Sequence, residues 1–386
     1  GAKKGSSVAE QNIKAAKLGY DYLKNNFPDD FGFELKKTEN MGRLFMSGNE
    51  AVSIAAVKAG CKFFAAYPMT PASSILQSMA SFEKSYNIVV KHTEDEIAAI
   101  NMAIGASFAG ARSMTATSGG GFALMAEGLG LAAQTETPLV IVEAQRPGPA
   151  TGMATHSGQG DMRFVLHAST DEFPRIVMAP GDVEECFYLT IDAFNLADKY
   201  QMPVIILTDK YLGESYKTVN GFDTKIIVDR GEIINDDDLA KGGYKRYKIT
   251  ESGISPRSIP GQRNGMFVAS SYEHDEEGYE SEEEEVRIAM HDKRYRKFRN
   301  AAQEILGKGV KIHGNGAADF AIISWGSPKG PILEAMKVLE NEGISVNYIQ
   351  VLFLSPFPAS QIKELMILLF DTAERGFFSE VVRHSR

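Results

Sequence analysis

Between about residue 44 and residue 216, short β-rich apolar runs alternate with Ala-rich stretches of helical period, the pattern of a parallel sheet covered on both faces. The runs Phe63–Ala66, Ile88–Lys91, Ser113–Thr117, Pro138–Glu143, Arg175–Met178 and Val204–Thr208 read as strands. Between them Asn49–Ala59, Pro71–Tyr86, Asp95–Ala109, Phe122–Thr135 and Val183–Tyr200 read as helices, each ending in or near a glycine or a polar turn. The alternation predicts a doubly wound, mostly parallel α/β domain over 41–216.

The pattern breaks on either side of that domain. Residues 1–40 form a lead-in segment, with the small and basic GAKKGSS of a flexible tail, a helical stretch from Val8 to Leu23 and a turn-rich Asn-Asn-Phe-Pro-Asp-Asp break. Residues 217–310 read as an extension. It holds the turn signals Gly-Ile-Ser-Pro-Arg and Ile-Pro-Gly, an acidic run from Glu273 to Glu285 expected to be a solvated surface, and a basic helix from Val286 to Leu306. Lys293, Arg294, Arg296, Lys297 and Arg299 lie on that helix, so the two charged segments either fold against each other or each face a partner. Residues 311–386 read as a second, smaller α/β domain: strand Phe320–Trp325, a Gly-Ser-Pro-Lys-Gly turn, helix Ile332–Glu342 and strand Ser345–Leu352. Its size suits packing on a neighbour better than independent folding.

Composition narrows the class. With 41 Lys+Arg against 50 Asp+Glu, the net charge of −9 argues against binding nucleic acid, since too little positive charge is available to neutralise phosphates. No stretch approaches the roughly 18 uninterrupted apolar residues of a membrane span, and the first residues lack the apolar core of a signal peptide, so a cytoplasmic location is expected. Cys61 and Cys186 are the two cysteines; they can neither build a disulfide framework nor supply the four thiolates of an iron–sulfur cluster. Any redox centre is expected elsewhere.

Four segments could carry chemistry. In Tyr67-Pro68-Met69-Thr70-Pro71, Pro71 suits a first helical position and Thr70 its N-cap; the same helix start, at the carboxyl end of a strand, offers N–H groups and hydroxyls to a carboxylate. Thr93-Glu94-Asp95-Glu96 reads as a capping box with acids complementing the helix dipole. The small residues that follow, from Ile97 to Gly110, let another backbone or a flat ligand approach, which would make Glu96 a carboxylate on a crevice wall. The Thr117-Ser118-Gly119-Gly120-Gly121 turn lacks the full dinucleotide fingerprint and the Lys-Ser/Thr of a P-loop, so a tight turn explains it better than a phosphate cradle. Gln145-Arg146-Pro147-Gly148-Pro149 opens a loop that leads to Thr155, His156, Gln159 and Asp161, where Arg146 offers a planar fork to a carboxylate and His156 a donor. His92, His167, His274, His291, His313 and His384 have no metal-site spacing.

Together, Gly48-Asn49-Glu50-Ala51, Tyr67-Pro68-Met69-Thr70-Pro71, Glu94-Asp95-Glu96, the Thr117–Gly121 turn and Gln145-Arg146-Pro147-Gly148-Pro149 closely resemble the α subunits of 2-oxoacid:ferredoxin oxidoreductases. The likeness runs from about Asn12 to Pro358 and includes Glu251-Ser252-Gly253-Ile254-Ser255-Pro256-Arg257 and Pro356-Phe357-Pro358. It implies a thiamine-diphosphate fold whose α chain binds the aminopyrimidine, with coenzyme A as co-substrate. A β subunit would hold the diphosphate, Mg²⁺ and an iron–sulfur cluster, and ferredoxin would take the electrons. The resemblance also allows for a γ subunit or domain. Glu96 would bond N1′ of the aminopyrimidine, Tyr67 and Pro68 would lie against the cofactor, Thr70 would bond the 2-oxoacid carboxylate, and Arg146 and His156 would line the substrate.

The chain departs from the family at two places. Members favouring 2-oxoglutarate or a broad range often carry an arginine in a Pro-Thr-x-Thr stretch, which here reads Met153-Ala154-Thr155-His156, with Ala150 in place of a serine. The family also continues past Asp371–Phe378 with a further strand and a Gly-Gln segment, so the terminal domain looks short. A non-catalytic scaffold of the same fold and a nucleotide binder built on Ser118–Gly121 are the alternatives. Intact Thr70, Glu96 and Arg146 argue against the first, and the missing fingerprint against the second.

Overall fold

The computed structural model describes residues 5–27, 36, 42–223, 225–314 and 318–370, with side chains described up to 366. The first four residues of the tail, the Pro-Asp-Asp of the break after the first helix and the Asp371–Phe378 departure lie outside the described residues. The chain divides into two units, Gly1–Arg43 and Leu44–Arg386. The first holds helix α1 (Ser6–Asn26), longer than expected, which buries none of its side chains.

In the second unit the described strands are β1 (Leu44–Ser47), β2 (Cys61–Ala66), β3 (Val89–His92), β4 (Arg112–Thr117), β5 (Leu139–Gln145) and β6 (Ile176–Met178). They continue with β7 (Pro203–Asp209), β8 (Tyr216–Val219), β9 (Val310–His313), β10 (Phe320–Trp325), β11 (Val346–Val351) and β12 (Phe353–Ser355). The helices are α2 (Gly48–Lys58), α3 (Ser73–Tyr86), α4 (Glu96–Phe108), α5 (Gly119–Leu124), α6 (Ala126–Gln134), α7 (Met162–His167) and α8 (Val183–Tyr200). After them come α9 (Lys210–Glu214), α10 (Asp236–Ala240), α11 (Glu284–Ile305), α12 (Lys329–Asn341) and α13 (Ala359–Phe370).

Seven strands form the main sheet in the order β12-β6-β7-β5-β4-β2-β3, parallel except where β12 runs antiparallel to β6. From β2 the chain moves to β3 on one side and then to β4 on the other, so the connections leaving β2 and β4 diverge and open a crevice at their carboxyl ends. Both faces are covered. Along β5, Val140 and Val142 pack with α2, α3 and α8, while Leu139 and Ile141 pack with α4, α5 and α6. On the second face the in-register row Thr115, Ile141 and Ile205 is followed by Thr117, Glu143 and Leu207, so the apolar column of β5 turns polar as it reaches the crevice.

Several expectations need correction. The helix expected over Phe122–Thr135 begins at Gly119 and is divided at Met125, whose N–H bonds back to the carbonyls of Gly121 and Phe122. The pairs β1–β8 and β9–β11 were not foreseen, nor was β12; a single apolar run, Val351–Leu354, conceals the change of sheet. β10, β11 and β9 form a separate three-stranded sheet, while β12 joins the main one. Nor is the acidic run wholly solvated: the Glu273 carboxylate takes hydrogen bonds from Arg294 at 2.7 and 3.0 Å and from Arg287 at 2.8 Å. Of the basic residues on α11, Lys293, Arg294 and Lys297 are buried.

Buried carboxylates of the α/β core receive Lys293 and Lys297 together with further cations. Glu136, in left-handed backbone after α6, accepts from Lys293 at 2.7 Å and from Lys297 at 2.7 Å, while Arg246 donates to its carbonyl. Asp198 of α8 accepts from Arg112, Arg230 and Arg257 at 2.7–2.9 Å. Glu185 takes Lys329 at 2.6 Å and Lys311 at 2.8 Å. Each carboxylate thus ties residues of the extension or of the terminal segment to the core.

Burial pushes the Glu136 carboxyl up, but Lys293, Lys297 and Arg246 outweigh it and hold the group below the ordinary carboxylate range. Its contribution to stability is therefore complete above the unfolded glutamate pKa of about 4.3 and is lost as the pH falls below it. Glu136→Gln would leave two buried ammonium groups without a counter-charge. The expected loss in equilibrium unfolding near neutral pH is about 3–5 kcal/mol. Glu334→Gln, on the exposed pair with Lys337, should leave stability unchanged.

Candidate active site

The crevice is lined by the turns after β2 and β4, the start of α4 and the loop after β5. In the first turn, Thr70 does not cap a helix: α3 starts at Ser73 with Ala72 at the N-cap, and Ala72 contributes no side-chain bond. Neighbouring elements instead hold the carbonyls of Thr70 and Pro71. Arg146 Nη1 donates to Thr70 O at 2.6 Å, and Asn49 Nδ2 donates to Pro71 O at 2.9 Å and to Ser74 Oγ at 2.8 Å. Tyr67 and Pro68 stand exposed at the mouth of the turn.

The capping box expected at Thr93-x-x-Glu96 does not form. Asp95 is the N-cap, accepting from Ala98 N at 2.7 Å, and Thr93 Oγ1 donates to Asp95 O at 2.8 Å. Glu96 is released from capping and turns inward, 2% exposed, with Oε1 lacking a hydrogen-bond partner. Burial raises its pKa above the ordinary value and Asp95 adds to the rise, while its own backbone N–H and the Arg146 charge pull it back. A sequence-legible capping box does exist two helices earlier, where Ser47 and Glu50 exchange bonds at the start of α2.

Over this carboxyl lies α5, and its glycines make the close approach possible. A methyl group on Gly121 would overlap Thr117 Oγ1 and Glu96 Oε1, and one on Gly119 would stand 2.7 Å from Asp161 Oδ2. The triple glycine is thus a device for laying a helix directly on carboxylates.

The loop after β5 is seated by side chains that the sequence reading missed or mentioned only in passing. Gln145 Oε1 accepts from Asp161 N at 3.1 Å, and its Nε2 donates to Thr208 O at 3.0 Å. Asp209 accepts from Gln159 at 3.1 Å, from Ser157 at 3.4 Å and from Leu212 N at 3.0 Å, and also from Ser327 of the turn after β10. Glu143 is wholly buried, and neither of its carboxyl oxygens has a donor; it faces the Asp161 carboxyl within hydrogen-bond reach. The signal for this network was an acid and an amide two residues apart at the end of an otherwise apolar strand.

The structure therefore brings Glu96, Thr70 and Arg146 to one crevice. His156 stays exposed on the loop, its Nδ1 3.5 Å from Thr155 Oγ1. No group of three or more metal-binding side chains occurs among the described residues, and no described helix is long and apolar enough to cross a membrane.

A family model for the thiamine-diphosphate-binding region of pyruvate flavodoxin/ferredoxin oxidoreductases matches residues 54–293. The α subunit of a 2-oxoacid:ferredoxin oxidoreductase from Saccharolobus solfataricus is 42% identical over 85% of this chain and 54% of its own length. The chain belongs to the α-subunit family of 2-oxoacid:ferredoxin oxidoreductases. The 2-oxoglutarate synthase subunit KorA of Methanocaldococcus jannaschii is 36% identical over 83% of this chain and 85% of its own length. A solved 2-oxoglutarate:ferredoxin oxidoreductase from Magnetococcus marinus, with 2-oxoglutarate, coenzyme A and succinyl-CoA bound, superposes with a TM-score of 0.86 at 36% identity, covering 96% of this chain and 64% of that one. The chain spans little more than half the length of the first curated relatives it matches.

A thiamine-diphosphate domain suits the residues present, because the glycine face of α5 packs on Glu96 and leaves it a buried acid with an orphaned Oε1. In this family member Gly121→Ala should overpack α5 by about 1–3 kcal/mol and displace Glu96. Cofactor titration of the assembled enzyme is expected to show affinity falling at least tenfold, roughly 1.4 kcal/mol. Gly105→Ala, in open space on α4, should be neutral or slightly stabilising.

Proposed function

We propose that this chain is the aminopyrimidine-binding half of a 2-oxoacid:ferredoxin oxidoreductase, converting a 2-oxoacid and coenzyme A to an acyl-CoA and CO₂. Its partner in this reading is a β subunit that holds the diphosphate, Mg²⁺ and an iron–sulfur cluster and passes the electrons to ferredoxin. The observation that carries the reading is Glu96, a buried carboxyl freed from helix capping and left with an orphaned oxygen at the switch point of the sheet.

Bound thiamine diphosphate supplies the electron sink for decarboxylation. The protein supplies binding, orientation and one proton. Glu96, raised by burial, can hold a proton at Oε1 and offer it to a ring nitrogen of the aminopyrimidine, while α5 shields that proton from water. Tyr67 and Pro68, exposed after β2, supply a surface for the ring. The Thr70 hydroxyl is free to meet the oxoacid carboxylate because Arg146 engages the Thr70 backbone carbonyl instead. Arg146 brings a full positive charge beside that carboxylate. His156 takes the far end of the substrate, where its exposure leaves room for more than one side chain.

Glu96→Gln should lower turnover of pyruvate or 2-oxoglutarate by the assembled complex by about 10²–10⁴-fold, with coenzyme A and a low-potential acceptor present. Circular dichroism and melting should be unchanged. Deuterium exchange at C2 of the cofactor should slow in parallel, and near-normal turnover with normal exchange would overturn the assignment.

A further inference from the structure

Glu143 and Asp161 do not fit the pattern set by the other buried carboxylates. Glu136, Asp198 and Glu185 each have cations. Among the described residues Glu143 has none: it is wholly buried, both of its oxygens lack donors, Oδ2 of Asp161 lacks one too, and the two carboxyl groups face each other. Two ionised carboxylates in that arrangement would repel with no salt bridge to either among the described residues, whereas one proton between them gives a short, charge-assisted hydrogen bond. We propose that Glu143 and Asp161 share a single proton, and that this proton seats the loop from Arg146 to Asp161, making Glu143 a positioning residue for the 2-oxoacid.

The surroundings favour Glu143 as the acid. Burial raises it well above the ordinary value, and the charges of Asp161 and, from the end of β7, Asp209 push it further. Asp161 is also raised by burial, but the bond from Glu143 and the charge of Arg146 favour its ionised form. Glu143 therefore donates and Asp161 accepts.

Asp161 closes the loop that Arg146 opens. Its N–H is fixed by Gln145, its carboxylate lies against Gly119, and between the two ends Ser157 and Gln159 are tied to Asp209. Removing the proton from Glu143 would set two negative groups against each other beneath α5 and push Asp161 outward, loosening the segment that carries His156. The folded protein binds this proton more tightly than an unfolded chain would. In this proposal the seating holds while Glu143 keeps its proton and is lost as the pH rises through the raised pKa of Glu143.

This inference rests on the assignment of Arg146 and His156 to the substrate, so its test includes readouts independent of turnover. In the assembled complex, infrared difference spectra at neutral pH should contain a protonated-carboxyl band that Glu143→Gln removes. The amide introduced by Glu143→Gln can still donate to Asp161, so hydrogen exchange of the 147–160 amides should match wild type at neutral pH. At alkaline pH those amides should lose protection in wild type but keep it in the variant. The KM for the 2-oxoacid should rise with pH in wild type and stay flat in Glu143→Gln. In Glu143→Ala it should be raised roughly ten- to a hundredfold at all pH values, with kcat changed less. Absence of the band, or the same alkaline loss of protection in wild type and Glu143→Gln, would overturn the proposal even if Glu143→Ala fails to fold. A complex with no 2-oxoacid turnover would instead overturn the functional reading and leave the band and the exchange to decide the pair.

Discussion

A carboxylate taken out of water needs a cation, a set of donors or a proton, and the way this chain meets that need determines both its assembly and its chemistry. Glu136, Asp198 and Glu185 take the first solution. Their cations come largely from the segments that follow the α/β domain: Lys293 and Lys297 from α11, Arg230 and Arg257 from the extension, Lys311 and Lys329 from the terminal part. The core thus carries the acids and the later chain supplies most of the bases. The overall charge of −9 conceals this division, because matched charges cancel in the sum.

At the carboxyl end of the sheet the solution changes. Glu96 and Glu143 lie on the α4–α6 side of the sheet, and no lysine or arginine forms a salt bridge with either one among the described residues. What they have in common is α5, brought close by glycines: Gly121 against Glu96 and Thr117, Gly119 against Asp161. A helix with side chains at those positions would stand off and admit water, and the carboxyl groups would then ionise as ordinary surface acids. The glycines maintain the desolvation, and desolvation is the first cause of the raised pKa of each acid.

Much of this was legible in the sequence. The six expected strands of the parallel sheet are present, since a strand buried on both faces must be apolar and short and the helices between them must be small-residue rich. The location of the crevice followed from the same alternation, and Glu96, Thr70 and Arg146 converge on it. What local pattern could not give was the partner each polar group finds. Thr93-x-x-Glu96 satisfies the capping rule, yet Asp95 takes the cap, and this two-residue shift in the helix start turns Glu96 from solvent toward α5. The acids of the 273–285 run look alike in sequence, but only the fold brings Arg287 and Arg294 onto Glu273. β12 was hidden because nothing in Val351–Leu354 marks where one sheet ends and the next begins.

The two kinds of carboxylate also differ in what they can transmit. A carboxylate saturated by cations has one arrangement, so Glu136 and Asp198 fix geometry and carry no signal. Asp209 lies between the two kinds. It accepts from Gln159 and Ser157 of the loop after β5 and from Ser327 of the turn that follows β10, so the terminal three-stranded sheet and the loop share one hydrogen-bonding centre. Its charge also bears on Glu143. A displacement of that terminal turn would reach the loop through Asp209 without any contact with substrate, and it would alter the proton balance of the Glu143–Asp161 pair on the way. Among the described residues, the chain leaves Glu96 and Glu143 without salt bridges at the end of the sheet where burial raises their pKa values, and the loop that frames that end is tied to the neighbouring acids Asp161 and Asp209.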